Sequence, residues 1–120
     1  MTDLQKSQLT AAGIDISDAL PRFMGNEALL ERFLKKFLQD ENYRRLQDAV
    51  RDGNLEGAIT ASHTLKGLCG NLSLSRLYSL FARQVDFFRS DGLAEGAALM
   101  DEISDAHQEA VRAISEVFSL

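Results

Sequence analysis

The chain is expected to fold as an all-α protein, an antiparallel up-down four-helix bundle with a short additional N-terminal helix. Apolar residues recur at helical spacing through four long stretches. The connections between them are about two to four residues, which forces consecutive helices to be antiparallel neighbours. No stretch alternates with the period of two that marks a strand.

Residues 1–12 are polar apart from Leu4 and Leu9 and lack strong start or stop signals. They read as a loose N-terminal arm or a partial turn, with the bundle domain spanning 13–120. A short helix is expected over Ile16 to Met24. Pro21 cannot donate a backbone N–H, so the helix is most comfortable starting near Asp18 with Pro21 in its first turn, and Gly25 ends it. Asn26 is a good cap for a long second helix in which Leu29, Leu30, Phe33, Leu34, Phe37, Leu38, Leu46 and Val50 recur until Asp52-Gly53. That aromatic stripe reads as core. Asn54 caps a third helix ending near Asn71-Leu72. Ser73 is the expected cap of a fourth, with Leu74, Leu77, Leu80, Phe81, Val85 and Phe88 inward until Asp91-Gly92. The last helix starts near Leu93 or Ala94 and buries Leu99, Ile103, Ala106, Ala110, Ile114 and Val117.

Composition narrows the function. The 120 residues suffice for one core and leave no room for an ATP-binding kinase domain beside it. A content of 45% hydrophobic and 26% charged residues is that of a globular domain, and a net charge of −5 argues against nucleic-acid binding, which relies on neutralising phosphates. There is no long apolar run of signal-peptide or membrane-spanning kind, so a cytoplasmic location away from membranes is expected. Cys69 is the single cysteine and falls on an apolar arc, which reads as a buried, inert thiol.

The most informative stretch is Ser62-His63-Thr64-Leu65-Lys66-Gly67-Leu68-Cys69-Gly70-Asn71-Leu72. At about 100° per residue, Leu55, Ala58, Ile59, Ser62, Leu65, Cys69 and Leu72 gather into one mostly apolar arc. His63 lies outside it. Lys66 and Gly67 follow one turn on and Gly70 two turns on, all on the side of His63. Each mid-helix glycine costs about 1 kcal/mol relative to alanine, so two within four residues imply close approach of another body. That body is either a neighbouring helix or a docking partner. A lysine one turn from an exposed imidazole opposes a bound metal cation and suits an anion on the ring nitrogen.

The run His63-Thr64-Leu65-Lys66-Gly67 resembles the signature of the histidine-containing phosphotransfer (HPt) family of two-component phosphorelays. Gly13-Ile14-Asp15-Ile16 and Arg22-Phe23-Met24-Gly25-Asn26-Glu27 resemble the usual entry to such a domain, and the likeness extends over residues 13 to 118. The resemblance implies that His63 is the phosphoacceptor in exchange with aspartyl phosphates of response-regulator receiver domains, with a sensor or hybrid histidine kinase upstream. It implies that Lys66 stabilises phosphoryl charge and that Gly67 and Gly70 give clearance for docking. No cofactor of its own is implied, because the receiver brings its own Asp and Mg²⁺. A monomer is expected, and the starting methionine and domain-sized length favour a free-standing carrier over an excised domain.

The chain departs from the family pattern at Leu68-Cys69 and Leu72-Ser73, where small residues and then Leu-Gly are common. The residue that supports the imidazole in relatives, a Gln or Glu on the following helix, aligns with Val85 here, flanked by Gln84 and Asp86. That role is therefore left open. His107, in Asp105-Ala106-His107-Gln108-Glu109, has no Lys-Gly neighbourhood and reads as a solvated surface histidine. Asp40, Glu41, Asp101, Glu102 and Asp105 form no Glu-x-x-His pair of the di-iron bundle type and read as solvated, as does Glu56. Two other classes compete with a phosphocarrier: a metal-dependent bundle enzyme, and a degenerate HPt-like adaptor that binds receiver or kinase domains without transfer.

Overall fold

The computed structural model describes residues 1–119. Eight helices account for the described fold: α1 (Asp3–Ala11), α2 (Ile16–Arg22), α3 (Glu27–Phe37), α4 (Asn42–Arg51), α5 (Leu55–Asn71), α6 (Ser75–Ser90), α7 (Leu93–Ala97) and α8 (Met100–Val117). The up-down bundle is formed by α3 with α4, then α5, α6, and α7 with α8, and α1 packs on α8. Leu30, Leu34, Leu46, Leu65, Phe81, Phe88, Ile103 and Ile114 fill its centre.

Several elements differ from expectation, each for a local reason. Where a loose arm is expected, α1 is a capped helix: Thr2 Oγ1 accepts from the Gln5 N–H while the Gln5 side chain accepts from the Thr2 N–H. Leu9 is fully buried, and Lys6 pairs with Glu27 at 3.0 Å. In α2 the cap is Asp15, whose carboxylate accepts from the Asp18 N–H, so Pro21 stands in the second turn rather than the first. The helix is only seven residues long, which limits the loss to one i→i−4 bond. Gly25, at φ 72°, closes it through its N–H to the Leu20 carbonyl.

The long second helix is two. After Phe37 the N–H groups of Leu38, Gln39 and Asp40 bond three residues back, and the Asp40 carboxylate takes the Asn42 N–H at 2.9 Å. The side chain thus replaces the ladder bond that would have carried the helix through. Asn26 and Asn54 do cap α3 and α5, accepting from the Leu29 and Gly57 N–H groups. The last helix is also broken, into α7 and α8. Gly96 presses on the Phe88 ring too closely for a Cβ, and its carbonyl accepts both from Gln84 Nε2 and from the Leu99 N–H three residues on.

His107 is not the solvated residue that its sequence neighbourhood implies. Its ring stacks on Tyr43 at 3.9 Å and tilts against Phe37 at 5.8 Å, and burial lowers its pKa. Tyr43 and Phe37 come from α4 and α3, so this half-buried histidine ties α8 to both halves of the broken helix. Among the described residues no helix is long and apolar enough to cross a membrane.

Candidate functional site

Helix α5 positions the site by burying one side completely. Ala58, Ala61, Ser62, Leu65 and Cys69 are in the core, which fixes the rotation of the helix and leaves His63 and Gly67 exposed and Lys66 half-exposed on the other side. Ser62, directly before His63, donates its hydroxyl to Gln84 Oε1 at 2.8 Å inside the bundle. Gln84 in turn donates to the Gly96 carbonyl and to Met100 Sδ, both at 3.1 Å. This fully satisfied buried network ties α5 to α6, α7 and α8.

Three residues stood as candidates to support the imidazole, and each is accounted for. Gln84 is engaged with Ser62, Val85 is buried, and Asp86 is exposed. Among the described residues no side chain hydrogen-bonds the His63 ring.

The two glycines of the motif have different surroundings. A Cβ at Gly67 would meet nothing within 4 Å, so the space beside His63 and Lys66 is open. A Cβ at Gly70 would lie 3.3 Å from the Tyr78 ring. The close approach at Gly70 is therefore between α5 and α6 of this chain, whereas at Gly67 the surface is free. Cys69 is buried, and loss of solvation, with the nearby Asp40 charge, pushes its thiol up to about 12, so it is not a thiolate at neutral pH. Among the described residues no group of three or more His, Cys, Asp or Glu side chains converges to hold a metal ion.

His63, Lys66, Gly67 and Gly70 line a groove of about 530 Å³ whose far wall carries Asp18 and Arg22 of α2 and Tyr78 of α6. The wall is held by the turn that ends α5. There the Leu74 N–H bonds to the Cys69 carbonyl and the Ser73 N–H to the Gly70 carbonyl, a Schellman closure that puts Ser73 in the left-handed region at φ 55°. A serine in this conformation is held by added bonds: its hydroxyl donates to Asp18 Oδ2 at 2.7 Å and its carbonyl accepts from the Asp15 N–H at 2.8 Å. Ser73 is thus no cap of α6, which begins after Leu74 without a side-chain cap. Asp18 and Arg22 are the groove residues that the sequence reading passes over. Their signal was an acid and a base at i,i+4 on one short helix.

A model of the Hpt domain matches residues 28–113. The chain belongs to the Hpt domain family. Comparison with curated proteins gave no match, and neither did comparison with solved structures. Hpt domains are phosphocarrier modules of two-component systems that work with receiver and kinase domains. The matched stretch runs from α3 into α8 and includes His63 and Lys66 of this Hpt domain, while α1 and α2, with Asp18 and Arg22, precede it.

Proposed function

We propose that this Hpt domain relays a phosphoryl group between aspartates of response-regulator receiver domains through His63. The observation that supports this most is the exposed imidazole at the mouth of a groove, with Lys66 one turn away and open space at Gly67. The lone pair of an unprotonated ring nitrogen attacks phosphorus of the receiver's aspartyl phosphate. An N–P bond forms, the P–O bond to the carboxylate breaks, the aspartate leaves as its anion, and the ring gives up its other N–H proton to solvent. The reverse sequence passes the group to a second receiver.

Such transfer depends on alignment and on neutralising the equatorial oxygens. Lys66 supplies part of that charge. The receiver supplies its own Asp and Mg²⁺, and a sensor or hybrid histidine kinase stands upstream. A cation beside the imidazole, without an ion-pair partner among the described residues, also weighs against a metal site there.

The test is incubation with radiolabelled, phosphorylated receiver domains. The intact chain should take up acid-labile label, and His63→Gln should remain folded by circular dichroism and take up none. Label on His63→Gln, for instance at His107, would sink the assignment.

A further inference from the structure

The groove carries a second cation whose placement is fixed by bonds outside its own helix. Arg22 Nε donates to Asp18 Oδ2 at 3.1 Å, and the same oxygen accepts from Ser73 Oγ at 2.7 Å. With the Asp15 N–H bonded to the Ser73 carbonyl, α2 is fastened at two points to the turn that ends α5. Arg22 therefore has a defined base, yet its side chain is 51% exposed and its two terminal nitrogens make no hydrogen bond among the described residues. The chain carries a net charge of −5, but the charged residues lining this groove are two cations, Arg22 and Lys66, and one carboxylate, Asp18. Asp18 is already engaged with Ser73 and Arg22, and those same bonds hold its pKa down, keeping it an acceptor.

Arg22 also lines an adjoining apolar groove with Asn71 and Leu72, and Asn71 is eight residues beyond His63, or about 12 Å along the helix axis. That groove is bordered by Phe23 and Phe33, whose rings lie 5.4 Å apart, and Phe33 is 38% exposed. A body seated over His63 and spreading toward α3 must cross Arg22. The unspent terminal nitrogens of a guanidinium suit a carboxylate or a phosphate, and with the phosphoryl group assigned to His63 in the proposed transfer, the partner group left for Arg22 is a carboxylate.

We infer that Arg22 is a specificity-determining docking residue, pairing with a surface carboxylate of the receiver domain whose aspartyl phosphate reacts at His63. The inference rests on the phosphotransfer reading. The match to the family model begins after Arg22, so the inference is carried by the placement of Arg22 in the groove. An acidic receiver face is drawn to the cationic groove, and a receiver with a basic residue at that position is rejected by like charge.

The test uses the full chain and a receiver domain that labels His63, phosphorylated with acetyl phosphate. Transfer rates are measured against receiver concentration for the wild type, Arg22→Ala, Arg22→Lys and Arg22→Glu, with thermal unfolding of each. At low salt the half-saturating receiver concentration should rise about threefold for Arg22→Ala and about tenfold for Arg22→Glu, with Arg22→Lys between wild type and alanine. The rate at saturation should fall less than about twofold, and the differences should shrink in about 0.5 M salt. An unchanged half-saturation for Arg22→Glu would overturn the inference, as would a salt-independent loss that follows a lowered melting temperature. If no receiver labels the wild type, the phosphotransfer reading fails and this inference with it; labelling that is indifferent to Arg22 defeats the inference alone.

Discussion

Replacing Gly67 by alanine should make the protein more stable. The residue sits mid-helix in α5, exposed, and an added Cβ meets no atom within 4 Å. The helix-propensity gain is then unopposed and amounts to about 1 kcal/mol. With about 2.1 cal/mol/K of unfolding entropy per residue, the 120-residue chain has about 0.25 kcal/mol/K, so the melting temperature should rise by about 4 °C.

Two other glycines calibrate the argument. At Gly70 the Cβ presses at 3.3 Å on Tyr78, a ring 41% exposed and able to give way, so alanine there should be nearly neutral. At Gly96 the Cβ falls onto the Phe88 ring, which is 1% exposed and has nowhere to move, so overpacking should cost about 1–3 kcal/mol or more. Thermal unfolding of the three alanine variants should rank them Gly67, Gly70, Gly96 from most to least stable. On the same preparations, Gly67→Gln should fold normally yet slow transfer from a phosphorylated receiver, since its side chain covers the approach to His63. A lowered melting temperature for Gly67→Ala would refute the open-surface reasoning, and full-speed transfer to Gly67→Gln would remove the clearance role.

Lys66→Ala should slow single-turnover transfer on the order of tenfold or more, with little change in melting temperature, because Lys66 has no ion-pair partner among the described residues; an unchanged rate would reduce it to a surface residue. Ser62→Ala leaves the buried Gln84 oxygen without its donor and should cost about 1–3 kcal/mol, read as a fall of several degrees in thermal unfolding. A fall of less than about 2 °C, which corresponds to about 0.5 kcal/mol, would show that the network contributes little.

The parts of the fold legible in the sequence are those set by periodicity. Ala58, Ser62, Leu65 and Cys69 face the core as the helical arc requires, and that same arc places His63 outside. Side-chain bonds, whether to a nearby backbone N–H or across sequence, were not legible. Asp40 takes a backbone N–H and splits the second helix, and Gln84 reaches the Gly96 carbonyl where α7 gives way to α8, yet the apolar pattern runs through both breaks. Ser73 shows the same limit. A serine before an apolar run reads as a cap, but here its hydroxyl is drawn to Asp18, 55 residues away in sequence, and α6 starts without it. The far wall of the groove depends on that contact, so Asp18 and Arg22 could not be placed beside His63 from spacing alone. Likewise Gly67 and Gly70 both fall on the side of His63 on a helical projection, and the position of Tyr78 on α6 tells their surroundings apart.

The arrangement around His63 suits a carrier more than a store. Among the described residues nothing hydrogen-bonds the ring, and the one neighbouring cation on α5 is half-exposed, so in the free protein its attraction for a phosphoryl group is worth no more than about 1 kcal/mol. A site that gripped the phosphoryl group tightly would lower the energy of the loaded carrier and slow its discharge to the next receiver. In the proposed relay, a receiver that covers the groove and excludes water would put the same lysine in a lower dielectric, where its charge counts for more. Its stabilisation would then be concentrated at the moment of transfer, which would speed both directions without trapping the group between them. The attachment of α5 through Ser62 and Gln84 would serve the same end in the proposed relay: alignment would come from the fold, and little would have to be drawn from binding the phosphoryl group itself.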